Sequence, residues 1–327
     1  MEFENRTLGE LLSKPGISRI AGDAIRNRDL RGEALWNLTL RQLREEAFFT
    51  GEIAGGFRRL YQAAETGEWY YPLYTDAECA GEKARRGVNL VWFPSAVPEA
   101  DKRPFILLVP GGGFVNVWNL TEGWPIADQY NRCGFHVFIL TYQVDGRQDL
   151  LAKNMEDFAR ALRLIREKQE AFHVSAERYI TCGFSAGGYL VCLWNTGMGY
   201  RHYQLPKPQG CIPVYPVVTL KREVRYGPDD PETSLRLYGC SLEEAAGMDY
   251  EITEHAEGFP PTALFLAAED ELVNPENSRM LARALGALGI PCRLEIGPTG
   301  GHGFADGKGM CMEGWTERAA QWALSLE

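Results

Sequence analysis

The sharpest chemical signal in the sequence is a serine, Ser185, set between two glycines, Gly183 and Gly187. An apolar run at 179–182 precedes this motif, and a helical segment follows it directly. A tight strand-to-helix turn strains the backbone of the serine and leaves no room for side chains at the flanking positions. It would hold the hydroxyl at the end of a strand, beside a helix N-terminus that favours negative charge. The pattern predicts a nucleophilic serine, the alternative being a glycine-rich turn with an incidental serine.

A serine hydroxyl needs a base to become a nucleophile at neutral pH, and the chain offers five histidines. His136 lies in an apolar strand run, where a core position explains it. His173 closes a predicted helix, where a helix cap explains it. His202 and His255 lie in polar, irregular segments. His302 lies in a glycine-rich loop after a predicted strand, where a mobile side chain can meet a nucleophile. We predict that His302 is the base, the alternative being an ordinary surface histidine.

The third participant would be a carboxylate that orients the imidazole and stabilises its charged form. Where the nucleophile stands on a strand-to-helix turn, the chain order is serine, acid, histidine, so the acid precedes His302. Three acidic residues, Glu269, Asp270 and Glu271, directly follow the predicted strand 263–268. Such a run is commonly a solvated turn, but its place at a strand end favours Asp270 as the acid, with its two neighbours as alternatives.

Three consecutive glycines, Gly111–Gly113, follow Pro110 and the predicted strand 105–109. The N–H groups of such a loop can point into a site with no side chain in the way. Together with the N–H of Ala186, after the nucleophile, they would form an oxyanion hole. The alternative is a phosphate-binding loop. It fails because Asn116 stands where the dinucleotide pattern needs glycine, and no Gly-Lys-Ser/Thr follows.

From about residue 86 onward, short apolar runs alternate with helical segments, which predicts a mostly parallel sheet with helices on both faces. The predicted strands are 88–93, 105–109, 136–141, 179–182, 212–218, 263–268 and 292–296. The predicted helices are 124–133, 155–169, 186–195, 275–288 and 316–326. Residues 219–260 exceed an ordinary connection in length, so we expect an insertion with short helices of its own.

The N-terminal part of the chain differs from the rest. Residues 1–75 contain no convincing strand run, while 40–49 and 56–64 have the apolar spacing of helices. We therefore divide the chain into an N-terminal helical extension, 1–75, and a catalytic domain, 76–327. The sequence leaves open whether the extension is a cap over the site or only a scaffold.

Composition sets the broad class. The chain has 327 residues, 45% apolar and 24% charged, which suits a globular protein with a large core. Its net charge of −10 argues against nucleic acid or an anionic membrane as partner. No apolar run is long enough to cross a bilayer, and no signal peptide opens the sequence, so we expect a cytoplasmic protein. Eight scattered cysteines without a Cys-x-x-Cys pair are expected to be reduced.

The segments that carry this chemistry resemble those of α/β-hydrolase esterases, in the same order along the chain. They are Pro110–Phe114, Gly183–Gly188, Asp270–Val273 and Gly301–Phe304. The resemblance is strongest to the bacterial acetyl xylan and feruloyl esterases related to hormone-sensitive lipase, and it covers roughly residues 86–327. Pro110 stands where the hormone-sensitive-lipase pattern has histidine, which favours the acetyl-esterase branch.

This resemblance implies an α/β-hydrolase fold with a catalytic triad and an oxyanion hole. The triad residues would be Ser185, Asp270 and His302. The N–H groups of the oxyanion hole would come from Gly112, Gly113 and Ala186.

We expect a serine carboxylesterase that cleaves small acyl esters such as acetyl esters, with carbohydrate as a candidate alcohol. The reaction would run through an acyl-enzyme without a metal or organic cofactor. Phe114, Trp118 and Trp124, near the glycine loop in sequence, could stack on sugar rings, although packing in the core explains them at least as well. A peptidase or amidase would use the same three residues, and a non-catalytic binding protein is a further alternative. A homo-oligomer is compatible with the sequence.

Overall fold

The structure of the chain is a computed structural model. It describes residues 3–17, 33–46, 52–66, 69–144, 148–225 and 230–326. Within these residues eight strands form one sheet. The strands are β1 Tyr70–Pro72, β2 Asn89–Phe93, β3 Phe105–Val109, β4 Val137–Thr141, β5 Tyr179–Phe184, β6 Gly210–Val214, β7 Thr262–Ala267 and β8 Cys292–Gly297. Their order across the sheet is β1-β2-β4-β3-β5-β6-β7-β8.

The sheet is parallel except at one edge. β1 pairs with β2 and β2 with β4 in antiparallel fashion, and every other neighbouring pair is parallel. β3 and β5 lie at its centre, with Leu108 opposite Cys182. The mostly parallel sheet predicted from the alternating pattern is confirmed. The short strand β1 is a difference, because three residues are too few to give an apolar run.

Helices follow most strands. The α-helices in the described part of the chain are α1 Leu8–Leu12, α2 Glu33–Trp36, α3 Leu40–Glu46, α4 Ile53–Thr66, α5 Asp76–Gly81, α6 Trp124–Arg132, α7 Leu150–Glu167, α8 Ser185–Leu193, α9 Pro231–Tyr238, α10 Leu242–Ala246, α11 Glu276–Ala287 and α12 Trp315–Leu324. The helix predicted at 40–49 is present as α3. Its predicted end, 47–49, lies outside the described residues.

Both faces of the sheet are buried, which explains why the strands read as continuous apolar runs. In β3, Leu107 points into one apolar cluster with α7, α8 and α11, while Leu108 points into a second cluster on the other face. This alternation follows from the two-residue period of a strand. The second cluster contains α6, α12 and the N-terminal helices, so those helices form a further layer outside α6.

The N-terminal layer is packed closely onto the sheet domain. Phe57 of α4 is fully buried and meets Trp124 of α6 edge to face, with ring centres 5.4 Å apart. Gly56 permits this approach, because a Cβ there would lie 3.0 Å from the Cβ of Trp124. Just before α4, the N–H of Glu52 donates to Oδ2 of Asp306 at 2.9 Å. The division of the chain at residue 75 stays a prediction.

The segment after β6 is the expected insertion with short helices, α9 and α10. Its two ends are tied together by the buried carboxylate of Glu251. Oε2 of Glu251 accepts hydrogen bonds from the hydroxyl of Thr219 at 2.9 Å and from the N–H of Leu220 at 2.7 Å.

Two further observations concern the chain as a whole. Among the helices described, none has both the length and the apolar character that a membrane span requires. All eight cysteines are free thiols in the structure.

Candidate active site

Ser185 lies at the junction of β5 and α8, as its glycine-flanked motif predicts. It is the first residue of α8 and has a φ of +49°, a left-handed conformation that is strained for a residue with a Cβ. The flanking glycines are required by space. A Cβ on Gly187 would collide with the carbonyl oxygen of Val109, and a Cβ on Gly183 would collide with the carbonyl oxygen of Gly187. The turn therefore holds the serine hydroxyl above the carboxyl edge of the sheet.

The structure brings His302 to Ser185 and Asp270. Nε2 of His302 lies 2.9 Å from Oγ of Ser185, and Nδ1 lies 2.7 Å from Oδ2 of Asp270. The side chain of His302 is 14% exposed and that of Asp270 is 1% exposed. With Nδ1 protonated and donating to Asp270, Nε2 is free to accept a proton from the serine.

Asp270 is held in place by the turn that follows β7. Its Oδ1 accepts hydrogen bonds from the N–H groups of Leu272 at 3.0 Å and Val273 at 2.8 Å. The neighbouring acids, Glu269 and Glu271, are exposed. Of the three acids that the sequence offers, Asp270 is the one that contacts the histidine.

The remaining histidines lie away from this group. His136 is buried, its Nδ1 accepts the N–H of Ser95 at 3.2 Å, and its Nε2 lies 3.0 Å from Oδ1 of Asp101. Burial lowers the pKa of His136, although hydrogen bonding to Asp101 opposes this. His173 approaches the same aspartate, and His255 pairs with Asp249. The core interpretation of His136 fits these contacts.

The glycine loop faces the serine across a cavity of about 400 Å³. Gly112 and Gly113 line it, with φ values of +136° and +61° that favour glycine. The cavity is also lined by Ser185, His302, Asn116, Trp118, Thr121 and Leu272. The N–H of Ala186 belongs to the first turn of α8, where amides have no acceptor inside the helix. Gly112 and Gly113 thus line the same cavity as Ser185, and Ala186 follows the serine directly; the role of these three residues as an oxyanion hole stays a prediction.

Phe114 and Trp124 do not line this cavity. Phe114 is 5% exposed and packs edge to face on Tyr189, with ring centres 5.9 Å apart. Trp124 is 1% exposed and packs against Phe57 of the N-terminal helix α4. The structure thus favours the packing alternative over sugar stacking for both residues. Trp118, which is half-buried, is an aromatic side chain that does reach the cavity.

Glu122 and Tyr215 are site residues that the sequence did not single out for a role. Glu122 is buried, and its Oε2 accepts the N–H of Gly111 at 2.6 Å. The hydroxyl of Tyr215 donates to its Oε1 at 2.9 Å. Burial raises the pKa of Glu122, although these two hydrogen bonds and the nearby His302 oppose the rise. No local sequence pattern marks either residue, because the hydrogen bond between them joins positions 93 apart.

No cluster of three or more histidine, cysteine or acidic side chains suited to a metal occurs among the residues described.

Comparison with known proteins connects this architecture to a family. A family described as having the alpha/beta hydrolase fold matches residues 106–306. The endo-1,4-beta-xylanase B of Butyrivibrio fibrisolvens is 29% identical over 229 residues, which cover 66% of this chain and 34% of that protein. The acetylxylan esterase of Xylanibacter ruminicola is 26% identical over 223 residues, which cover 64% of this chain and 43% of that protein. The chain thus spans less than half the length of either relative.

Solved structures agree on the fold. An acetyl ester-xyloside bifunctional hydrolase from Caldicellulosiruptor lactoaceticus has a TM-score of 0.65 at 24% identity, covering 79% of this chain and 96% of that one. The carboxylesterase Cest-2923 from Lactobacillus plantarum has a TM-score of 0.57 at 23% identity, covering 73% of this chain and 92% of that one. Since the family match spans more than half of the residues, the chain belongs to the family with the α/β-hydrolase fold.

Proposed function

We propose that this protein is a serine carboxylesterase that hydrolyses small acyl esters, with acetyl esters of carbohydrates as the leading substrate class. The observation that carries the proposal is the hydrogen-bonded series from Ser185 through His302 to Asp270 at the cavity wall. The names of the relatives, an acetylxylan esterase and an acetyl ester-xyloside hydrolase among them, support the acyl group and the alcohol.

The first half of the proposed reaction acylates the serine. Oγ of Ser185 attacks the ester carbonyl carbon while Nε2 of His302 takes its proton. The carbonyl oxygen becomes an oxyanion, which the N–H groups of Gly112, Gly113 and Ala186 stabilise. The bond to the alcohol oxygen then breaks, and His302 gives its proton to that oxygen, leaving an acyl-serine and a free alcohol.

The second half releases the acid. Water attacks the acyl carbon while His302 accepts one of its protons, and a second oxyanion forms in the same place. When the bond to Oγ breaks, the proton returns from His302 to Ser185. Throughout, Asp270 keeps the imidazole in one orientation and balances its charge when it is protonated.

The cavity lining is consistent with an alcohol that carries hydroxyl groups. Two of its side chains, Asn116 and Thr121, are polar and nearly buried, and Trp118 offers an aromatic face beside them. Polar groups beside an aromatic surface are suited to sugar rings, which present both hydroxyls and C–H faces.

The test combines a substrate series with covalent labelling. We expect p-nitrophenyl acetate and acetylated xylo-oligosaccharides to be hydrolysed, octanoyl esters to be poor substrates and p-nitroacetanilide to react far more slowly. A fluorophosphonate should add its mass to the peptide that contains Ser185. Ser185→Ala should abolish hydrolysis and labelling, whereas Ser325→Ala, at an exposed helix end, should leave both unchanged.

Two outcomes would contradict the proposal. A folded protein that takes no fluorophosphonate on Ser185 is not a serine hydrolase. Faster turnover of the anilide than of the acetate ester would indicate an amidase built on the same residues.

A further inference from the structure

Glu122 is a buried carboxylate that the proposed mechanism does not use. It lies in the π-helical turn Asn119–Gly123 that leads into α6, and it is 5% exposed. Described lysine and arginine side chains make no ion pair with it; its hydrogen bonds come from a backbone amide and a tyrosine. Burying a carboxylate without a charged partner costs free energy that its hydrogen bonds must offset, so these hydrogen bonds point to a role for Glu122.

One of its oxygens holds the glycine loop. Oε2 accepts the N–H of Gly111 at 2.6 Å, and Gly111 immediately precedes Gly112 and Gly113. Space around Gly111 is tight, since a Cβ there would lie 2.9 Å from Oε2 of Glu122 and 2.9 Å from the Cβ of Ser185. Gly111, which precedes the predicted oxyanion hole, is thus enclosed between the carboxylate of Glu122 and Ser185.

The other oxygen holds a ring that supports the histidine. Oε1 accepts the hydroxyl of Tyr215 at 2.9 Å, and the Tyr215 ring lies 4.8 Å from the ring of His302, centre to centre. Tyr215 follows β6 directly and has a φ of +37°, a strained conformation for a residue with a side chain. The ring of Phe304 also packs on the Tyr215 ring, edge to face, with ring centres 4.8 Å apart.

We infer that Glu122 is a positioning residue that couples the oxyanion loop to the base, through Gly111 on one side and Tyr215 on the other. This inference rests on the proposed ester hydrolysis. The two groups that act together in the transition state, the amides of the loop and the imidazole, are carried by segments distant in sequence. A shared carboxylate between them fixes their relative position before substrate arrives, which is what electrostatic stabilisation in a rigid site requires.

Two conservative variants test the coupling. Glu122→Gln keeps the volume but leaves one acceptor oxygen for two donors, and Tyr215→Phe keeps the ring but removes its hydroxyl. Each should lower kcat for p-nitrophenyl acetate about 10- to 100-fold while KM changes less than about threefold, because a transition-state interaction is lost. Fluorophosphonate labelling of Ser185 should slow by a similar factor, because it uses the same amides.

The double variant and a matched control separate positioning from general damage. Both changes interrupt one chain of contacts, so their effects should not add. The kcat of the double variant should therefore lie within about threefold of the kcat of the slower single variant. The control is Tyr61→Phe, which removes one buried tyrosine hydroxyl bond, to the carbonyl of Leu11 at 2.7 Å, far from the cavity. Its kcat should stay within about twofold of the parent.

The outcomes distinguish the two proposals. A parent protein that neither hydrolyses esters nor labels at Ser185 overturns both. An active parent with Glu122→Gln and Tyr215→Phe both within about twofold of it overturns the positioning inference alone. So does a rise in KM with unchanged kcat, or an equal loss in Tyr61→Phe.

Discussion

Replacing Asp270 by asparagine should disable the base while leaving the site almost unchanged in shape. Oδ1 of Asp270 accepts two backbone N–H groups, those of Leu272 and Val273, so the carbonyl oxygen of an asparagine has to take that side. The NH2 group then faces Nδ1 of His302, where Oδ2 lies at 2.7 Å in the parent. Since an NH2 group can only donate there, Nδ1 becomes the acceptor and the imidazole proton moves to Nε2.

The expected loss follows from this change of tautomer. A protonated Nε2, 2.9 Å from Oγ of Ser185, cannot take the serine proton. In a serine-histidine-aspartate triad studied this way, the same substitution lowers kcat about 10⁴-fold, which is about 5 kcal/mol of transition-state free energy. We expect Asp270→Asn to lose about this factor in kcat for p-nitrophenyl acetate, with KM nearly unchanged. Steady-state kinetics gives the factor, and urea unfolding verifies that the variant is folded.

The neighbouring acids provide the control. Glu269 and Glu271 are exposed, and Glu269→Gln and Glu271→Gln should each retain kcat within about twofold. The reasoning would be refuted if Asp270→Asn kept more than about a tenth of the parent kcat, or if either control lost as much as it does.

Three further predictions concern stability. Trp124→Ala should lower the free energy of unfolding by about 3–5 kcal/mol, because its buried ring packs on Phe57, while KM for sugar acetates stays within about threefold; a higher KM with unchanged stability would restore a substrate-binding role. Ser185→Gly should be more stable than Ser185→Ala by about 1 kcal/mol in urea unfolding, because a φ of +49° strains alanine and not glycine; equal midpoints would argue against strain. Burial raises the pKa of Asp157 from 3.8 to about 6, so the folded state keeps a proton that the unfolded chain releases. Its contribution is therefore present below about pH 4 and lost as the pH rises through about 6, and Asp157→Asn should flatten this part of the pH profile; an unchanged slope would contradict the assignment.

The parts of the fold that the sequence predicted are those set by local pattern. β2, β3, β4, β5, β7 and β8 lie within two residues of their predicted bounds, because each contains a short, mostly apolar run that is visible in the local sequence. The nucleophile turn was predicted because strand, motif and helix are contiguous. Asp270 and His302 could be predicted to lie near Ser185 because the carboxyl ends of parallel strands meet at one edge of the sheet.

The parts that were missed depend on contacts between distant segments. The apolar run 212–218 gave no sign that the strand ends at Val214, where Tyr215 turns into a left-handed conformation. The bond between Tyr215 and Glu122 joins residues 93 positions apart, so no local pattern contains it. Trp124 follows the glycine loop closely in sequence, but it lies away from the cavity, in the apolar cluster that includes the N-terminal helices.

The hydrogen bond between Glu52 and Asp306 has a consequence for how the protein loses activity on heating. Asp306 lies four residues after His302, and its Oδ2 also accepts the side-chain amide of Gln129 at 3.1 Å. When the first turn of α4 frays, this buried carboxylate loses a donor, and the anchor of the histidine-bearing loop weakens with it. We therefore expect local opening at the N-terminal layer to loosen the loop that carries His302, at a free energy below that of global unfolding. We expect activity to be lost on heating before the central strands unfold.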